Sequence, residues 1–499
     1  MGREWTRRGL LAGGVSALAG MAWAQAPLVR PQARPAPEPI QPPSGRRPEA
    51  RVELDALVRA AGMDGKVSVA LVDVDDGTLV AAHDAGTMRP PASVAKALTA
   101  LYALDALGGE HRFATRLLAT APVVDGRIEG DLILAGGGDP TLSTDRLAEL
   151  AMQLAAAGVR EVGAFRVWGG ALPEIREISA EQMPHLDYNP SVSGLNLNFN
   201  RVWFGWERAG EEYRVRMEAL GDDHRPDVTI AQMRVADRSL PVYTYTAAGE
   251  ADLWTVARGQ LGDGGSRWLP VRSPAVYAGQ AFLRLANEQG IALPAPRRIA
   301  ALPEGTVEIA RIESAPLSEI LREMLLHSTN LTAEVVGLAA SRARGLSPAT
   351  LAESADAMNR WLRGATGAQT RLLDHSGLGS GSRVAASEMA LALASRGVME
   401  RLRPLLKDIP LTGANGEALP LPPALVRAKT GTLNFVSALA GYARAQAGGD
   451  LVFAYFSADL EARAAADADD EIPAGSRDFL QRSRRLQQEL LQRWGLLTV

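Results

Sequence analysis

Pro90 to Gly108 reads PPASVAKALTALYALDALG. Val94, Leu98, Leu101, Tyr102 and Leu107 recur at helical spacing, and Gly108 with Gly109 ends the run. Ser93 and Lys96 lie three residues apart in the predicted first turn, so they share a face. A serine hydroxyl is a poor nucleophile until a neighbour takes its proton, and a lysine one turn along does so once its pKa is pulled down. The helix N-terminus also leaves a peptide N–H free to face a developing oxyanion. Alone, S-x-x-K is equally compatible with an N-terminal serine and a solvated surface lysine.

Two further stretches supply what this one lacks. His327-Ser328-Thr329-Asn330 sits at a helix junction, where Ser and Asn serve as caps, or where Ser328 relays a proton and the Asn330 amide holds a substrate carbonyl. Ala428-Lys429-Thr430-Gly431-Thr432 follows a Pro-rich turn at Leu419–Pro423 and reads as a strand with an exposed lysine and a glycine bulge. Its functional reading is sharper. Gly431 lets a substrate backbone lie close to the strand, Lys429 offers a cation to a carboxylate, and the Thr432 N–H completes an oxyanion hole. The order S-x-x-K, S-x-N, K-T-G is the signature of penicillin-binding proteins and class A β-lactamases.

The chain has 499 residues, 46 % hydrophobic and 22 % charged, enough for two to four ordinary globular domains. A net charge of −4 without a basic stripe speaks against nucleic acid as a partner. Zero cysteines exclude disulfides, thiolate nucleophiles and sulfur metal sites. The six histidines show no paired ligand spacing, so neither a metal nor another cofactor is expected.

Residues 1–26 read as an export signal: Arg3, Arg7 and Arg8 precede an uncharged run, and Ala22-Trp23-Ala24 offers a cleavage site. Thr6-Arg7-Arg8-Gly9-Leu10-Leu11 resembles a twin-arginine signal, which places the mature protein in a bacterial periplasm. Residues 27–50 are a proline-dense linker. Folded sequence is expected in three parts: 51–112, a β-rich insertion at 113–270, and 271–499, where long helical patterns return before two strands and a closing helix.

From about residue 52 onward the chain resembles the class C low-molecular-mass penicillin-binding proteins, the D-alanyl-D-alanine carboxypeptidases/endopeptidases. Besides the three motifs, the blocks GDLILAGGGDPTLS (Gly130–Ser143), LNLNFNRV (Leu195–Val202), HSTNLTAE (His327–Glu334), LLDHSGLGSGSRV (Leu372–Val384) and AKTGTLNFVSALAGY (Ala428–Tyr442) carry it. The separation of 235 residues between Ser93 and Ser328 resembles that family, whose members carry a large insertion there.

The resemblance implies an α+β multidomain protein, with a penicillin-recognising transpeptidase/β-lactamase-like domain interrupted by the insertion. It implies hydrolysis of peptidoglycan stem peptides through an acyl-Ser93 intermediate, and acylation by β-lactam antibiotics. Lys96 is then the base, Ser328 the proton shuttle to the leaving D-alanine, and Asn330 the residue that orients substrate. Lys429 and Thr430 bind the terminal carboxylate, while Ser93 and Thr432 N–H groups hold the oxyanion. Asp139 matches a position on the inserted domain associated with a peptide side-chain ammonium; as an Asp-Pro turn initiator it would need no such role. Where the family often has an arginine and an asparagine, this chain has Ser380 and Ser382, with Arg383 close by to compensate. A β-lactamase of the same fold and a non-catalytic wall-binding protein are the rival readings, and peripheral association with membrane or wall is compatible with all three.

Overall fold

A computed structural model describes residues 48–497 apart from 414, 447, 468 and 469. The expected export signal and most of the linker lie outside the described residues.

The sheet that carries the third motif joins the two ends of the folded chain. β1 (Val67–Asp73) and β2 (Leu79–His83) form a hairpin across Asp75-Asp76-Gly77-Thr78. β3 (Ala424–Leu433), β4 (Val436–Ala445) and β5 (Asp450–Ala458) form an antiparallel meander. β5 then pairs with β1 from Val67↔Ser457 to Asp73↔Leu451, and a two-residue strand, Lys407–Asp408, edges β3.

Alternation splits the apolar residues of these strands between two cores. Val67, Val69 and Leu71, with Phe453, Tyr455 and Leu439, face α1 (Pro48–Ala60) and the closing helix α5 (Ser476–Trp494). Ala70 and Val72, with Tyr442, Ala454 and Phe456, face a helical layer. That layer holds α2 (Ala95–Leu107), α3 (Leu317–His327) and α4 (Asn330–Ala343), with further helices at Leu351–Thr366 and Ala386–Ala394. Both sheet faces are therefore buried, which is why β4 and β5 read as continuous apolar runs.

The helical pattern of α2 predicts one buried face. In the structure every residue from Ala95 to Ala103 is buried, as expected for a helix apolar all round that crosses a domain centre. Lys96 is carried inside with it.

Residues between α2 and α3 build a second core. A sheet ordered Arg297–Arg298, Glu161–Trp168, Arg127–Gly136, Ala114–Ala119, Val307–Glu313 packs against helices Thr144–Ala156 and Pro274–Glu288. Two three-stranded sheets complete it: Gly264–Pro270 with Arg201–Ala209 and Glu212–Glu218, and Ala231–Ala236 with Ala251–Ala257 and Tyr243–Ala248. The boundary expected at residue 270 falls inside this packing unit. Tyr277, Phe282 and Leu285 share its core with Ile312, so the inserted part runs on to about Glu313.

An irregular strap, residues 169–200, leads from this core back to the helical layer. Its asparagines replace a ladder: Asn196 Oδ1 accepts from Ser193 N at 3.1 Å and from Asn200 Nδ2 at 2.7 Å, and Asn200 Oδ1 accepts from Leu197 N at 3.0 Å. Asn198, Phe199 and Asn200 all have positive φ, a conformation asparagine tolerates better than most residues. Buried Arg272 donates to the strap carbonyls of Arg176 (3.0 Å), Pro184 (3.0 Å) and Asn189 (2.8 Å).

Candidate active site

Ser93 lies in a 3-10 turn, Ala92–Val94, just ahead of α2, rather than in the first α-helical turn. Ala92 has φ 45°, a strained value that neighbouring backbone enforces. Two glycines make that enclosure close. A Cβ on Gly377 would lie 1.9 Å from the Ala92 carbonyl oxygen, and one on Gly431 would lie 3.0 Å from Ser93 N and 2.9 Å from Pro91 O. The third motif's glycine thus gives way to the chain's own turn that bears Ser93, not to a substrate backbone as expected.

Lys96, one helical turn on, is fully buried, and its Nζ meets three oxygens. It contacts Ser93 Oγ at 2.9 Å, Asn330 Oδ1 at 2.7 Å and the Ser376 carbonyl at 2.9 Å. Burial pulls its pKa from 10.5 down to about 7, against the carboxylates of Glu334 and Asp374, which favour the ammonium.

Ser328 caps α3 in the left-handed region at φ 61°, so the chain turns sharply and Asn330 opens α4. Its hydroxyl is 3.0 Å from Nζ of Lys429, which also donates to the Thr430 carbonyl at 2.7 Å. Lys429 is buried on β3, and burial lowers it to about 6, with the charges of Lys96 and Lys407 adding to the effect. The lowering of Lys96 comes from burial, whereas the like-charge repulsion acts on Lys429.

The structure therefore brings Ser93, Lys96 and Asn330 into one hydrogen-bonded group and Ser328, Lys429 and Thr430 into another, linked through Ser328-Thr329-Asn330. No hydrogen bond joins Ser328 Oγ to Ser93 Oγ among the described residues. Thr432 is exposed at the same end of β3, opposite Ser437. The strap supplies the second contact of the Asn330 amide: Nδ2 donates to the Tyr188 carbonyl at 2.8 Å, which fixes the amide with Oδ1 toward Lys96 and leaves one Nδ2 proton without a partner among the described residues.

Asp139 is buried at the end of strand Arg127–Gly136, and its Oδ1 accepts from Thr141 N at 2.8 Å and Thr141 Oγ1 at 2.7 Å. Burial raises its pKa against those bonds. These contacts are those of a turn initiator. Ser380 donates to Glu181 Oε1 at 2.6 Å, while the Arg383 guanidinium donates to the carbonyls of Ser380 and Ser382. One nitrogen of Arg383 is therefore engaged by its own loop.

Three residues beneath the site lie within the quoted blocks but receive no role from the sequence. Glu334 accepts from His375 N at 3.0 Å and Ser376 N at 2.8 Å. Asp374 accepts from Gly377 N at 2.7 Å and Gly379 N at 2.6 Å. Burial raises both carboxyls, and their mutual repulsion raises Glu334 further. His375 is stacked beside Tyr102 and is pushed down to about 3 by burial, so it is neutral. Thr99 Oγ1 donates to the His375 carbonyl at 2.7 Å, tying the same turn to α2. The available signal was spacing: Glu334 follows Asn330 by four residues, on one helical face.

No cluster of metal-ligating side chains occurs among the described residues. The profile of the D-Ala-D-Ala carboxypeptidase 3 (S13) family matches residues 50–476. The D-alanyl-D-alanine carboxypeptidase of Actinomadura sp. strain R39 is 28 % identical over 435 residues, 80 % of this chain and 79 % of that one. The D-alanyl-D-alanine carboxypeptidase of Haemophilus influenzae is 23 % identical over 440 residues, 83 % and 91 % of the two chains. Among solved structures, penicillin binding protein 4 of Haemophilus influenzae superposes with a TM-score of 0.69 at 20 % identity, covering 88 % of this chain and 99 % of that one. This last likeness speaks to the fold.

Proposed function

The chain belongs to the D-Ala-D-Ala carboxypeptidase 3 (S13) family and is a serine-type D-Ala-D-Ala carboxypeptidase, and from that premise we propose that it hydrolyses peptidoglycan peptides through an acyl-Ser93 intermediate. Neutral Lys96 takes the hydroxyl proton as Ser93 Oγ attacks the carbonyl between the two D-alanines. The N–H groups of Ser93 and Thr432 receive the oxyanion. Ser328 protonates the departing D-alanine amine and is reprotonated through the lysines. Water then attacks the ester by the reverse route. The remaining Nδ2 proton of Asn330 orients the substrate, and Lys429 with Thr430 takes its terminal carboxylate. The same chemistry extends to D-alanine cross-links; the ammonium-binding role of Asp139 rests on the family resemblance alone, since its Oδ1 is taken up by Thr141.

The two lysines make the base respond to substrate. An arriving carboxylate favours the ammonium form of Lys429, and that charge disfavours the ammonium of Lys96. The proton therefore moves to the carboxylate-binding lysine as the base is needed.

The observation that carries this reading is the 2.9 Å contact between Ser93 Oγ and an amine held near neutrality by burial. Labelled penicillin is expected to acylate the wild type and leave Ser93→Ala unmarked; equal labelling of both overturns it. Rapid nitrocefin turnover, in place of a long-lived adduct, would favour a β-lactamase, and no labelling at all would favour a wall-binding protein. Mass analysis of digested muropeptides separates carboxypeptidase from endopeptidase products.

Export to a periplasm through the twin-arginine route, with residues 27–50 as a spacer, is part of the same reading and is supported by Arg3, Arg7 and Arg8 and by a substrate that lies outside the cytoplasm. No helix among the described residues is long and apolar enough to cross a membrane.

A further inference from the structure

We infer that Glu334 is a positioning residue for the base: it holds the Ser376 carbonyl in the one place from which it can aim Lys96 Nζ at Ser93. The inference rests on the reading of Lys96 as base and goes beyond it.

The geometry is a relay of three layers. The Glu334 side chain, fully buried on the first turns of α4, takes the backbone N–H groups of His375 (3.0 Å) and Ser376 (2.8 Å) on its two carboxylate oxygens. Both donors belong to the turn whose Ser376 carbonyl accepts from Lys96 Nζ at 2.9 Å. Among the described residues Lys96 Nζ has two other partners, Asn330 Oδ1 and Ser93 Oγ itself. Asn330 also begins α4, one helical turn before Glu334, so the same helix fixes two of the three oxygens around the amine.

The role calls for a carboxylate. Two converging N–H donors need an acceptor at each position, and an amide presents a donor to one of them. Leaving a buried N–H unpaired is costly, so the turn would shift to recover its bond. Its carbonyl, and with it the amine, would move relative to Ser93. The carboxylate also faces the amine electrostatically. From α2 the site receives Lys96, from β3 Lys429, from the strand beside it Lys407, and from the 372–382 loop Asp374 and neutral His375. Burial and the neighbouring Asp374 push Glu334 up to about 8, so it is ionised in part near neutral pH, and removing it removes one of the two groups whose charge favours the ammonium of Lys96.

Two consequences separate positioning from a merely structural role. Glu334→Gln is expected to slow acylation by labelled penicillin about 10- to 100-fold at saturating antibiotic, with the antibiotic concentration for half-saturation little changed. It is also expected to move the acid limb of the pH–rate profile lower, because the ionised fraction of Glu334 no longer favours the ammonium. Glu334→Asp keeps the charge yet is one methylene shorter, so it should lose rate with the limb in its wild-type place. Lys96→Ala, measured alongside, should abolish labelling.

The outcomes divide cleanly. A folded Glu334→Gln with wild-type plateau and limb overturns the inference while leaving the base reading intact, provided Lys96→Ala is inactive. An active Lys96→Ala overturns the base reading and this one with it. Should Glu334→Gln fail to fold, Glu334→Asp decides: an unchanged plateau overturns the inference, and a reduced plateau with an unmoved limb supports it.

Discussion

The buried amine makes the pH dependence of acylation a direct test of the site. Lys96 has an ordinary value of 10.5 and is held at about 7 in the fold. That displacement corresponds to about 5 kcal/mol against the charged form. A solvated lysine would be neutral in roughly 1 molecule in 3,000 at pH 7, whereas here about half are, because each pH unit is a factor of ten. The acylation rate should therefore climb about tenfold between pH 6 and a plateau above pH 8. Stopped-flow acylation by a chromogenic β-lactam from pH 5 to pH 9.5 measures it. The limb seen at saturating antibiotic should lie below that seen at low antibiotic, since the bound carboxylate charges Lys429 and drives the proton off Lys96. Lys96→Arg, permanently charged, should show no acylation at any of these pH values. A profile that is flat throughout, or one still rising at pH 9.5, would refute the assignment of Lys96 as a base tuned by burial.

The stability counterpart has the opposite use for the same energy. Because the folded pKa of Lys96 lies below its unfolded value, the unfolded chain binds more protons between about pH 7 and pH 10, and stability rises with pH across that window. Lys96→Met should flatten that slope in thermal melts and raise stability at pH 7 by about 0.5 to 2 kcal/mol, while abolishing acylation. Gly377→Ala should be severely destabilising, by about 2 kcal/mol or more, because a Cβ would sit 1.9 Å from the Ala92 carbonyl at a φ of +77° that alanine resists. Chemical denaturation reports it. Arg272→Ala leaves three strap carbonyls without their donor and should cost about 2 to 4 kcal/mol. It should also weaken acylation, since the strap delivers the Tyr188 carbonyl to Asn330. Lys429→Ala should raise KM for peptides ending in a free carboxylate far more than for their amides, as a steady-state comparison of the two shows.

Much of the site was legible in the chain itself. The chemistry of Ser93, Lys96, Ser328, Asn330 and Lys429 follows from residue type and short spacing, because a lysine three residues after a serine must share its helical face. The helices and the hairpin at Asp75–Thr78 were equally readable, since period and turn residues are local properties. Strands Arg201–Ala209, Tyr243–Ala248, Ala251–Ala257 and Gly264–Pro270 escaped, because apolar and polar residues do not alternate cleanly along them.

What only the tertiary structure decided are relations between distant segments. The Asn330 amide reaches Lys96 across 234 residues of sequence and the Ser376 carbonyl does so across 280, and no periodicity encodes such pairs. Desolvation of Lys96 requires every side of α2 to be covered by other elements, so its lowered pKa is a property of the assembled core. The burial of Glu334 and Asp374, the engagement of Arg383 by its own loop and the extension of the inserted part to Glu313 have the same origin. A side chain's chemistry belongs to its residue, while its protonation and its aim belong to whatever the fold packs around it.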